Sequence, residues 1–488
     1  RLELYADTRP RPKTLLASPG LTTMVLILEF LLADVAQDDA VAAALPATLR
    51  LLRRRRPVEV ASTPVRSRWC GRLTELLRSD CASARHAGIA LVVETATQLD
   101  EAAFAAHREP WAVTLLSLST QRSGGDAIRS ASAAALTELL AVASRWPVQR
   151  RDAAVHAPRL LGALLSMAER PSASATADAD VGGCSVEAEV VTSTLKLARV
   201  APHCVRAQRS RLASAATQIL LQPTGGAGAA AEARAAAAAA ELLGALPAVC
   251  GGGAAFAQAW GETVASLSGT LHALLRTALG SLTAQPLCSA PPPAAALPSP
   301  GAEAEALLAA ATGCVRALHS CLCPPGVAGA AADAPPAGDK GPCPVQLPLG
   351  SLCTLALSVL SLDGVLQLPA PEAGALKHAS AVALLPELHV LALQLLHSLL
   401  LAARRHALAH LRPLVEALQL CWRRTSPAEG LPHLRCPRLR AATYELAAAL
   451  LTTLGAAGAE PLGEYLAEAA LLDLASGDAA GGGAAAGG

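Results

Sequence analysis

Apolar residues recur at helical spacing along nearly the whole chain. Trp69, Leu73, Leu76 and Leu77 fall at i, i+4, i+7 and i+8, which places them on one face of a helix. Leu212, Ala216, Ile219 and Leu220 repeat the spacing, as do Leu267, Leu271, Leu274 and Leu275. Further stripes run through 128–140, 160–167, 307–322, 391–400 and 439–450. No period-two alternation of the strand type stands out. Pro110, just before Trp111, reads as the first turn of a helix, where its missing N–H costs nothing. The alanine-rich run 229–240, continued by Glu241-Leu242-Leu243, reads as a helix with a bland surface.

The helices recur every ~20–25 residues, so a pair occupies ~40–47 residues, the period of HEAT or armadillo-type units. An all-α fold follows, an α-solenoid of HEAT/armadillo-like helix pairs. Each pair buries its apolar face on its neighbours, so a chain of 488 residues needs no single large core. Proline and glycine divide the array. Residues 1–60 form an N-terminal segment and 61–284 a first helical-repeat domain. A Pro-rich linker at 285–303 and a second helical region at 304–478, with a Pro/Gly-rich insertion at 324–346, come next. Residues 479–488, all Gly and Ala, read as a disordered tail.

Composition narrows the function classes. Alanine is about 23% and leucine about 17% of the chain, aromatics only 2%. The 40 basic and 39 acidic residues nearly cancel, so no net field points to a polyanion or to an acidic substrate. Arginine outnumbers lysine 36 to 4, and Ala, Gly and Pro are also abundant, a profile that GC-rich codons produce without any demand for guanidinium chemistry. The 13 cysteines are scattered and odd in number, as buried thiols of a reducing compartment are. The nearest thing to a metal set, Cys314, His319, Cys321, Cys323 and Cys343, has one residue between Cys321 and Cys323 where zinc sites use two or more. The run 390–403 is about 14 residues long, a length typical of buried core helices.

No phosphate-binding glycine loop, HExxH or G-x-S-x-G is present, and carboxylates such as Glu75 and Glu138 fall on outer helix faces. No catalytic, cofactor or metal residue is assigned, and the chain is not expected to be an enzyme. Two other patterns are candidates. Arg53, Arg54, Arg55 and Arg56 suit a nuclear-localisation element or a phosphate contact, while the plainer reading is a solvated helix C-terminus before Pro57. Six LxxLL matches begin at Leu28, Leu73, Leu136, Leu161, Leu271 and Leu396. On a helix such leucines can fill a partner's groove, but each match also lies in a stripe the core needs. Leu28, Leu31 and Leu32, together with Leu73, Leu76 and Leu77, are the candidate partner-binding set, with 28–32 the stretch expected to be exposed.

From Leu73 the chain reads LTELLRSDCASARHAGIALVVETATQLDEAAFAAHREPWAVTLLSLS, with Leu76, Leu77, Arg85, Gly88, Phe104, His107, Trp111, Leu115 and Leu116 in order. Arg151-Asp152 and Pro158-Arg159-Leu160-Leu161 follow, then Phe256, Trp260, the stripe 267–275 and LPELHVLALQLLHSLLLAA at 385–403. This order resembles the Rix-one-type pre-rRNA-processing family, over roughly residues 65–475, with 1–60 and both Pro-rich insertions unmatched. The resemblance implies a non-catalytic scaffold in large (60S) ribosomal subunit assembly and in processing of the second internal transcribed spacer, in the nucleolus and nucleoplasm. It also implies partners: a WD-repeat protein, a second helical-repeat protein, a midasin-type AAA ATPase, pre-60S particles and a second copy of the chain. The family includes a nuclear coregulator, so the alternative is a transcriptional coregulator that binds nuclear receptors through LxxLL helices. The acidic tail of that relative has no counterpart in this sequence, and no tail-dependent role is expected.

Overall fold

A computed structural model describes residues 28–29, 31–33, 35, 38–121, 125–169, 186–221, 229–279, 304–323, 345–363, 378–426 and 430–482. Among them every regular element is helical. The Pro-rich segment 285–303 and almost all of the insertion 324–346 lie outside the described residues. The chain divides into two compact units, Arg1–Ala163 and Leu164–Gly488.

The first unit contains α1 (Asp38–Arg55), α2 (Pro57–Val60), α3 (Thr63–Arg78), α4 (Ala82–Ala96), α5 (Glu101–Thr120), α6 (Asp126–Ala143) and α7 (Pro147–Ala153). Helices α3/α4 and α5/α6 are antiparallel neighbours in sequence. Stacking builds two layers: α1, α4 and α6 pack in that order, with α3 and α5 against each other beside them. The sequence period reappears as bonds between residues 41 apart: Ser79 to Asp38, Arg53 to Glu94, Arg56 to Thr97 and Arg108 to Gln149. Trp69 and Trp111 are fully buried and donate their indole N–H groups to Thr95 and Thr74, each at 3.0 Å. A large apolar ring is thereby buried with its one polar atom satisfied.

Helix α4 lies so close to α3 that a Cβ on Gly88 would stand 2.9 Å from the Leu76 Cβ. Only a residue without a side chain fits there without displacement. Pro110 does not start a helix; α5 runs from Glu101 straight through it to Thr120. The start signal lies at Asp100, whose carboxylate accepts from the Ala103 N–H at 2.8 Å, a stronger instruction than a proline that helix packing can tolerate.

After α8 (Ala157–Ala168), the second unit contains α9 (Val186–Val200), α10 (Pro202–Ala207), α11 (Arg209–Leu221), α12 (Ala229–Ala245), α13 (Ala254–Leu279) and α14 (Ala304–Leu322). It continues with α15 (Leu349–Ser361), α16 (His378–Ala403), α17 (Leu411–Thr425), α18 (Pro437–Leu454) and α19 (Ala456–Gly482). A spine runs α9, α12, α14, α16, α18, and α11, α13, α15 and α17 pair with successive spine members. The alanine-rich helix is part of this spine: Ala235, Ala239 and Ala240 are buried, and small side chains permit the close crossing with α14. There a Cβ on Gly244 would meet Ser320 at 2.6 Å. Helix α19 reaches Gly482, so its backbone continues into the Gly/Ala segment.

Two helical stretches, Glu232–Cys250 and Val382–Thr425, are long and apolar enough to cross a membrane. In Val382–Thr425, 72% of the apolar window is buried against other helices, as in a core helix, and in Glu232–Cys250, 44%.

Candidate interaction surfaces

The LxxLL leucines are core residues. Leu73, Leu76 and Leu77 are fully buried, and the motifs beginning at Leu136, Leu161, Leu271 and Leu396 are buried at every leucine. The stretch expected to be exposed follows the same rule, because Leu28 and Leu31 are also fully buried. Their burial is physical necessity: at helical spacing these leucines are the stripe that faces the neighbouring helix. Leu32 alone of the six candidates is partly exposed, and it lines an open cleft of ≈ 630 Å³ with Glu29, Arg68, Arg72 and Glu75.

The arginine run ends α1 and remains on the surface. Arg53 pairs with Glu94 at 2.9 Å and Arg56 with Glu59 at 2.6 Å, while Arg54 and Arg55 are exposed with no partner among the described residues. Arg56 adopts the left-handed conformation (φ +46°, ψ +48°) that usually falls to glycine after a helix, and Pro57 follows it. Its guanidinium reaches the Thr97 carbonyl at 3.4 Å, and Arg145 donates to the same oxygen at 3.3 Å from the residues just after α6. The buried Gln98 donates to the Leu52 carbonyl at 3.1 Å. The C-terminal ends of α1, α4 and α6 therefore share one edge, where unbonded carbonyls concentrate negative charge and cations are favoured. The run itself was visible in the sequence. Arg145 and Glu94 were not, since only the stacking of helices 41 or more residues apart brings them to it.

A second arginine serves the fold. Arg424 donates to the carbonyls of Leu360 at 2.8 Å, Ser361 at 3.0 Å and Leu362 at 3.1 Å, satisfying the end of α15 from α17. Beside it His389 is 1% exposed. Burial, reinforced by the Arg424 charge, pushes this imidazole down to about 4, so it is neutral near pH 7.

Among the described residues no group of three His, Cys, Asp or Glu side chains is placed to hold a metal. Burial pushes the Cys314 and Cys321 thiols up to about 12, which makes them inert. His319 Nδ1 lies 2.8 Å from Ser398 Oγ, Cys323 is close to the Ser398 carbonyl, and Cys343 lies outside the described residues.

The residues that carried the family resemblance hold this architecture together. Phe104 packs on Trp146 at 5.4 Å between ring centroids, His107 stacks on Trp111, and Trp260 donates to the Cys321 carbonyl at 3.0 Å. In comparisons with known proteins, no curated protein matches. Among solved structures, the crystal structure of an engineered protein is 14% identical, with 92% of this chain and 94% of that chain covered at a TM-score of 0.32. That likeness is too loose to bear on fold or function. Residues 27–225 match the RIX1 family, described as rRNA processing/ribosome biogenesis. The match begins at residue 27, so most of the segment expected to lie outside the family falls within it. Over residues 27–225 the chain is similar to the RIX1 family of rRNA-processing and ribosome-biogenesis proteins.

Proposed function

We propose that the chain is a non-catalytic scaffold of a nuclear complex that assembles the large (60S) ribosomal subunit and supports removal of the second internal transcribed spacer. The RIX1 match over residues 27–225 carries the proposal, since it supports a role in ribosome biogenesis. Stacked helix pairs with few polar groups inside support the scaffold role. Such arrays present long surfaces on which several partners hold fixed positions. The partners proposed are a WD-repeat protein, a second helical-repeat protein, a midasin-type AAA ATPase and pre-60S particles, with the chain itself dimeric. Nucleolus and nucleoplasm are the compartments that this role requires.

Burial of the LxxLL leucines speaks against the coregulator alternative, because docking those helices into a receptor groove would require unfolding a repeat. Affinity purification of the full chain from nuclear extract tests the scaffold reading. Co-purification of large-subunit precursors and a WD-repeat protein is expected, and absence of both overturns it.

A further inference from the structure

We infer that the arginine edge at the C-terminal ends of α1, α4 and α6 is a docking surface for the phosphate backbone of RNA. The inference rests on the ribosome-biogenesis reading for the choice of polyanion. Five guanidiniums, of Arg53, Arg54, Arg55, Arg56 and Arg145, meet on this edge, and among the described residues their carboxylate partners are Glu94 and Glu59. Capping explains Arg56 and Arg145, which bind the Thr97 carbonyl, and pairing explains Arg53. Neither explains Arg54 and Arg55, which are exposed and without a partner among the described residues.

The geometry favours a chain of phosphates. Successive residues on a helix project about 100° apart, so Arg54 and Arg55 reach two separate anions rather than forking one carboxylate. Arg145 extends the row from a different repeat, so the cations follow the stacking direction of three helices. A linear polyanion matches that line, and each guanidinium offers several donors to phosphate oxygens. Among the described residues no free aromatic platform accompanies them, since Trp146 packs its ring on Phe104. The contact is therefore with backbone phosphates and carries no base preference.

The test is titration of fluorescent RNA, a rRNA-precursor fragment and an unrelated sequence of equal length, with the purified full chain at several salt concentrations. Arg54→Glu/Arg55→Glu is expected to weaken binding to both RNAs at least tenfold at low salt and to flatten the salt dependence. Arg404→Glu/Arg405→Glu, an equal charge change on an exposed pair in the other unit, is expected to leave binding within twofold. Unchanged binding by the first variant, equal loss in the second, or equally tight binding of polyglutamate overturns the inference. Circular dichroism and co-purification of large-subunit precursors, run on the same variants, separate the two proposals. Lost RNA affinity with retained precursors leaves the scaffold reading standing, and lost precursors with intact RNA affinity does the reverse.

Discussion

Asp38, the first residue of α1, accepts from the Arg72 guanidinium at 2.5 Å, which fastens the N-terminal helix to the middle of α3. Ser79 donates to the other carboxylate oxygen at 2.5 Å, and Arg72 also donates to the Val35 carbonyl at 2.8 Å. The Ser79 hydroxyl, followed by Arg72, holds the Asp38 carboxyl below its usual range. The first helix is thus a member of the stack rather than a leader to it.

Asp38→Asn is expected to loosen α1 while the rest of the unit persists. The pair is partly exposed, so the loss in global stability stays within about 1 kcal/mol. Amide exchange in 41–52 reports the effect more sharply, with faster exchange expected there and unchanged exchange in α5.

Gly88→Val is expected to destabilise the first unit by about 1–3 kcal/mol, because the added atoms press into Leu76 and the α3 backbone. Urea unfolding measures it. A neutral result would mean that α3 and α4 separate freely, contrary to the close crossing.

Leu76→Ala discriminates core from docking roles. As a core truncation it is expected to cost about 2–5 kcal/mol and to lower the melting temperature. As a surface docking residue it would leave stability unchanged and remove one partner alone.

The helical period, the helix-pair spacing and the buried leucine stripes were all legible in the sequence, because burial on a helix imposes spacing that neighbouring residues reveal. Pro110 misled for a local reason: proline is strongest as a start signal, yet the packed helix α5 carries it through its middle, and the Asp100 cap sets the boundary. The burial of Leu28 and Leu31 was hidden because it depends on tertiary packing, and a short apolar run alone does not say what covers it. Arg145 at the edge of α1 and Arg424 at the end of α15 were hidden for the same reason. Both act across helices, on backbone carbonyls that no side-chain pattern marks.

His389 gives the second unit a pH dependence. Its imidazole titrates near 4 when folded and near 6.5 when exposed, so the unfolded chain binds more protons between these values. Its contribution is complete above about pH 6.5 and is lost as pH falls toward 4, by up to about 3 kcal/mol. Unfolding curves at pH 7 and pH 5 should therefore differ more for the wild-type chain than for His389→Leu, and equal differences would show that the imidazole is hydrated.

Northern analysis of pre-rRNA after depletion of the chain from cells tests the account most directly. Accumulation of large-subunit precursors that retain the second internal transcribed spacer, reversed by the wild-type chain, is the predicted result. Unchanged precursor levels under full depletion would contradict a scaffold role in large-subunit maturation.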